Sequence, residues 1–121
     1  MRAADGAGVF DDDRGSLLAV ELTDLPFTVR RVFVVSGRAG GADRGDHVVP
    51  CAETIVLLSG AACFWTTSAG TDDVSDARLD RRGQRLDLDE GDHVRYRLLD
   101  EHSSILVLAE QPYEHGAEER P

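Results

Sequence analysis

The chain reads as one all-β domain, a small sandwich or barrel. Short segments rich in β-branched and aromatic residues, such as 29–36, recur with turn signals between them. No stretch longer than about ten residues keeps a clean helical period. The 121 residues contain no internal repeat and no linker long enough to divide them.

The elements follow in order. Residues 1–8 are small and polar, and a loose tail is expected there. Asp11 to Asp13 form an acidic run that reads as a solvated turn. Segments 16–21 and 29–36 read as strands, the second opened by Pro26-Phe27. Segment 38–45 mixes glycine and alanine with charges, so a loop is expected. Segment 54–59 is an apolar run of strand length; Ser59-Gly60 signals a turn, and 61–67 is the return strand. A turn at 68–70 precedes strands at 73–80, 85–88, 93–98 and 104–110, with Gly83 and Gly91 in the gaps. The charged residues 112–121 are expected to be a second loose tail.

Composition narrows the partners. A formal charge of −10 argues against nucleic acid, because phosphate binding needs a basic surface or stripe. All thirteen basic residues are arginine, which removes lysine Schiff-base chemistry and leaves groups suited to bidentate grip on an anion. Cys51 and Cys63 lie too far apart for a zinc knuckle or disulfide framework and read as buried thiols. No apolar run is long enough for a membrane helix, and the first ten residues lack a signal-peptide pattern. A cytoplasmic protein without membrane contact is expected.

Few residues here can carry chemistry. Alternation along an extended segment puts His47, Val49 and Cys51 on one face and Asp46, Val48 and Pro50 on the other. If the first face is interior, His47 meets the ligand space and can act as a general base near neutral pH. Equally, it can be a structural histidine bonded to a backbone carbonyl. The same alternation sets Val94, Tyr96 and Leu98 against His93, Arg95 and Arg97. That makes Tyr96 an inward phenol or an aromatic core filler, and His93 a surface residue. Arg14, Arg31 and Arg44 form an anion clamp if they converge, or pair separately with surface carboxylates if they do not.

Two spaced groups resemble the paired motifs of the cupin superfamily. The first is Arg44, Gly45, Asp46, His47, Val48 and Val49, then Glu53 and Gly60; the second is Gly83, Asp89, Gly91, His93 and Val94. A metal-binding cupin would carry histidine at Val49 and Val94. Only His47 and Glu53 stand at matching positions, so no metal and no cofactor are expected. More specifically, Asp13-Arg14-Gly15-Ser16-Leu17, Leu25-Pro26-Phe27, Arg31-Val32-Phe33, Leu58-Ser59-Gly60, Leu106-Val107-Leu108-Ala109 and Tyr113 resemble, in order and spacing, the dTDP-sugar 3,4-ketoisomerases, or WxcM-like cupins. The match runs over residues 9–114 or so.

That resemblance implies a cupin-type jelly roll (double-stranded β-helix), a homodimer, and a metal-free isomerase. Such an enzyme moves a carbonyl from C4 to C3 of a thymidine-diphosphate-linked 4-keto-6-deoxyhexose through an enediol. His47 and Tyr96 are then the catalytic candidates, with Arg14, Arg31, Arg44, Val49, Glu53 and Val94 around the substrate. The chain departs from the family at Val49, which replaces a second histidine, at His93-Val94, which replaces Trp-His, and at Val34, which replaces an inward tyrosine. These departures leave three readings open: the ketoisomerase itself, a diverged enzyme isomerising or cyclising a less polar biosynthetic intermediate, or a non-catalytic small-molecule-binding module. Small barrels leave strand edges open, so dimerisation through an N-terminal strand is also expected.

Overall fold

In the computed structural model, residues 2–5 and 8–112 are described. The chain folds as a jelly roll. Eight strands carry it: β4 (Arg31–Ser36), β5 (Ala42–Val48), β6 (Glu53–Ser59), β7 (Ala62–Thr67), β8 (Val74–Leu79), β9 (Gln84–Leu88), β10 (His93–Leu98) and β11 (Ser104–Ala109). They pair outermost with outermost: β4 with β11, β5 with β10, β6 with β9 and β7 with β8, all antiparallel. This nesting is a long hairpin rolled over on itself. Pairing of β11 with β6 and of β10 with β7 completes two sheets, β1-β9-β6-β11-β4 and β5-β10-β7-β8.

Three more strands precede the roll. β1 (Arg2–Asp5) adds to the free edge of β9, so the expected loose N-terminal tail is a strand there. Its partner within the chain is β9. β2 (Gly8–Asp12) and β3 (Gly15–Ala19) make a separate hairpin, and the acidic run turns only at its end, after Asp12. The tail expected at 112–121 lies, from residue 113 on, outside the described residues, as does Tyr113.

The core sits between the sheets. Val35, Val49, Ile55, Leu57, Ala62, Phe64, Leu79, Leu86, Leu88, Val94, Tyr96, Leu98, Ile105 and Val107 form one buried cluster. Most come from alternate strand positions, as expected when each sheet buries one face. β6 breaks the alternation, because residues 53–57 are all buried. The outer face of its sheet is covered too: Leu18, Val20, Leu25 and Val29 pack over Val56, Leu106 and Leu108. Beside that cover, Asp87 accepts hydrogen bonds from Thr54 Oγ1 at 2.7 Å and Arg85 NH2 at 2.9 Å, which satisfies its buried carboxylate.

Half of the loop expected at 38–45 is strand. β5 begins at Ala42, and only 37–41 turns. Its acidic residues, Asp43 and Asp46, point to solvent from an edge strand, and its glycine sits in a bulge, so charge and glycine did not mark a loop. Cys51 is buried as expected, whereas Cys63 lies half-buried on the outer face of β7, with Arg78 NH1 at 4.0 Å.

Phe64 is fully buried and stacks on Tyr96, with ring centroids 5.5 Å apart. Phe64→Ala is expected to cost about 3–5 kcal/mol of stability, read from urea unfolding, with the cavity and the lost stack both contributing.

Candidate functional site

A cavity opens between the sheets, lined by Phe33, His47, Glu53, Ile55, Leu88, Val94, Tyr96, Ile105 and Val107. It is narrow: about 20 Å³ is open to the centre of a water-sized sphere, within about 380 Å³ of space between atoms that includes its open mouth. Both sheets contribute. His47, Val94 and Tyr96 come from β5 and β10, and the remaining walls come from β4, β6, β9 and β11. Six of these nine residues are apolar, so the three polar ones sit within a largely apolar lining.

A bulge in β5 builds the histidine wall. His47 lies opposite Val94 and Arg44 opposite Tyr96, so Gly45 and Asp46 together face the single residue Arg95. The extra residue takes the left-handed conformation at Gly45, φ 68°, which a side chain disfavours. Without it, Arg44 and His47, three apart, would point to opposite faces. With it, each stands across from an inward residue of β10.

The same glycine sets the histidine's tautomer. His47 Nδ1 contacts the Gly45 carbonyl oxygen at 2.5 Å. A carbonyl only accepts, so Nδ1 carries the hydrogen, and in the neutral ring Nε2 holds the lone pair. The backbone-bonded histidine and the pocket histidine, set out above as alternatives, are thus one residue.

Tyr96 is buried, lines the cavity and rests on Phe64 directly across β7. Glu53, at the first position of β6, is only 6% exposed and lines the opposite sheet's wall. Val94 forms part of the wall. Val49 does not. It is fully buried in the core, where main-chain bonds latch it to the 89–92 turn: its N–H donates to Asp92 at 2.8 Å and its carbonyl accepts from Gly91 at 2.9 Å. Asp92 in turn accepts the Asp89 N–H at 2.9 Å, closing the turn.

The three arginines lie in different places. Arg31 sits over the ring of Phe33, 4.4 Å from its centroid, beside the cavity. Arg44 lines a neighbouring cleft with Ser36, Gly37, Arg38, Ala42 and Leu98. Arg14 is on the β2–β3 hairpin, bonded to Asp12 at 2.6 Å and largely exposed. A single chain therefore does not gather them into one clamp. His93 is outward, with Nε2 2.7 Å from Asp46 Oδ1. It shares that outer face with Asp43, which binds Arg97 at 2.8 Å and Arg95 at 3.0 Å. The Arg97 hydrogen bond, more than any other cause, holds the Asp43 carboxyl below its ordinary value.

The expectation at Val34 is corrected. Val34 points outward and is 56% exposed; Phe33, one residue earlier, is the cavity residue of β4. Both faces of this strand are apolar (Phe33 and Val35 inside, Val32 and Val34 outside), so polarity marks no inward face.

Among the described residues, no set of three or more His, Cys, Asp or Glu side chains converges as metal ligands. His47 and Glu53 share the cavity, but Val94 on its wall is no ligand and Val49 lies in the core outside it. This donor set does not fit a metal that takes three or four protein ligands.

The family described as FdtA, WxcM-like, C-terminal matches residues 7–118. Among curated proteins no match is found. Several solved structures share the fold. A 3,4-ketoisomerase from Helicobacter canadensis is 22% identical, with TM-score 0.79, over 97% of this chain and 89% of that one. The WlaRB TDP-quinovose 3,4-ketoisomerase from Campylobacter jejuni is 22% identical, with TM-score 0.80, over 99% and 92%. QdtA, a sugar 3,4-ketoisomerase from Thermoanaerobacterium thermosaccharolyticum solved with TDP, is 21% identical, with TM-score 0.79, over 95% and 85%.

Gly45→Ala is expected to lose about 1–2 kcal/mol from the left-handed backbone alone. It is also expected to release the His47 tautomer, which nitrogen-15 NMR of the imidazole would show as a mixture of the two N–H forms in place of one.

Proposed function

The chain belongs to the WxcM-like, C-terminal family, and from that membership we propose that it is a metal-independent isomerase of nucleotide-linked keto-sugars. The observation that carries the proposal is His47 in a cavity of mostly apolar lining, with Nδ1 pinned and Nε2 left as the proton acceptor. In this reading the substrate is a thymidine-diphosphate 4-keto-6-deoxyhexose. His47 removes the proton from C3, an enediol forms, and the proton returns at C4 as the carbonyl moves to C3. Tyr96 or a water protonates the oxygen. The likeness to a ketoisomerase solved with TDP supports the nucleotide. Arg31 beside the cavity and Arg44 in the adjoining cleft are suited to the diphosphate.

A second reading has its own support. The cavity is mostly aliphatic and aromatic, which favours a diverged enzyme with a less polar ligand. Thermal unfolding separates the two. Stabilisation by thymidine diphosphate supports the sugar substrate, and no shift with any nucleotide but a shift with an apolar metabolite overturns it. His47→Ala is expected to fold normally and lose about 10²–10⁴-fold in turnover, measured by product formation from the keto-sugar. If only affinity changes, the protein is a binding module.

The functional unit in this proposal is a homodimer. β4 is an edge strand whose outward Val32 and Val34 are more than half exposed, and Phe10 and Leu17 on the hairpin are too. Light scattering at micromolar concentration is expected to give a dimer, and Val34→Asp to shift it toward monomer. A monomeric wild type would count against it.

A further inference from the structure

Carbonyl migration along a sugar ring moves more than one proton. One passes from C3 to C4. Two oxygens also exchange roles, since O4 must gain a proton and O3 must lose one. His47, on one wall, can serve the carbons. Nothing assigned so far both gives a proton to one oxygen and takes one from its neighbour.

Glu53 is placed for that work. It lines the same cavity from β6 in the five-stranded sheet, while His47 comes from β5 in the four-stranded one. A ring lying between the sheets would therefore meet an imidazole on one side and a carboxyl on the other. Glu53 opens the strand that continues with Ile55 and Leu57 on the inner face, and it lies opposite Leu88 in β9. An apolar residue would pack there without the cost of burying a carboxyl. A carboxyl retained in a cavity, beside a histidine and a tyrosine, is the pattern of a proton-transfer group. A carboxyl also has two oxygens on one carbon, able to face the two vicinal oxygens of an enediol together. The Tyr96 phenol has one oxygen, and its ring is fixed by the stack on Phe64.

We propose that Glu53, in place of Tyr96 or a water, is the acid–base partner of His47, on the opposite wall. The inference rests on the isomerase reading above. In the first half, His47 Nε2 takes the C3 proton, and the C–H electrons form the C3–C4 double bond. The C4 carbonyl π electrons move to O4, which takes the proton of the Glu53 carboxyl. An enediol, an imidazolium and a carboxylate result. In the second half, the Glu53 carboxylate takes the O3 proton, the O–H electrons form the C3 carbonyl, and the C3–C4 π electrons take the imidazolium proton at C4. Both side chains return to their starting states, and nothing else is consumed.

The test uses the full chain with a thymidine-diphosphate 4-keto-6-deoxyhexose, following product formation and, in D₂O, deuterium entry into the sugar. Glu53→Gln keeps the shape and removes the exchangeable proton. It is expected to lower kcat about 10²–10⁴-fold with KM changed less than tenfold. Glu53→Ala is expected to lose as much and to regain turnover when formate is added, because a small carboxylic acid can occupy the vacated space. A packing role alone would not respond to formate. Wild-type kcat in Glu53→Gln, or loss in both variants with no formate response, overturns the role of Glu53 and leaves the isomerase reading standing. If Glu53→Gln fails to fold, Glu53→Asp decides: a reduced kcat supports the role and an unchanged kcat overturns it. A wild-type protein that neither converts the sugar nor exchanges its hydrogen overturns both.

Discussion

Side-chain alternation along paired strands is the constraint on which the rest depends. Each sheet sends every second residue inward, and the nested pairing of β4 with β11 through β7 with β8 stacks those residues into one interior. Any residue's environment then follows from the parity of its position. The Gly45 bulge changes that parity once, within β5. Arg44 and His47 reach the same side only because of it. One left-handed glycine thereby decides where the histidine stands, and its carbonyl decides which ring nitrogen is bare.

Polarity is divided between the two faces of the four-stranded sheet. Inside, Val94, Tyr96 and Leu98 pack against the core. Outside, His93 meets Asp46, Asp43 meets Arg95 and Arg97, and Arg95 covers the ring of Trp65 at 4.3 Å. Exposed pairs of this kind contribute little to stability. Their consequence is for the interior, which is left with few charges. A proton-transfer group in such a space is weakly screened and meets little competing water.

Strand content was well marked in the sequence. The 93–98 strand coincides with β10, and 104–110 overruns β11 by one residue. Branched and aromatic residues on a half-buried surface leave that mark because they pack well there. Two kinds of element left none. β5 carries Asp43 and Asp46 outward, Arg44 inward and a glycine in its bulge, so its composition is that of a loop. The pairing of β1 with β9 depends on backbone groups that any sequence supplies. Parity was legible where one face is polar, as at 46–48, where Asp46 and Val48 are exposed and His47 is turned inward. It was not legible in β4, where both faces are apolar and Phe33 and Val34 were exchanged.

Sequence by itself determined the all-β character, most of the strands of the roll, and the alternation that groups His47 with Val49 and Val94 with Tyr96, because these rest on local pattern. Tertiary structure decided which side chains meet. It brought Glu53 across from His47, withdrew Val49 into the core, and kept Arg14 on a hairpin apart from Arg31 and Arg44. The physical reason is that each of those encounters joins residues on different strands or sheets, and the distance between them is set by the packing of the sheets and by no local preference.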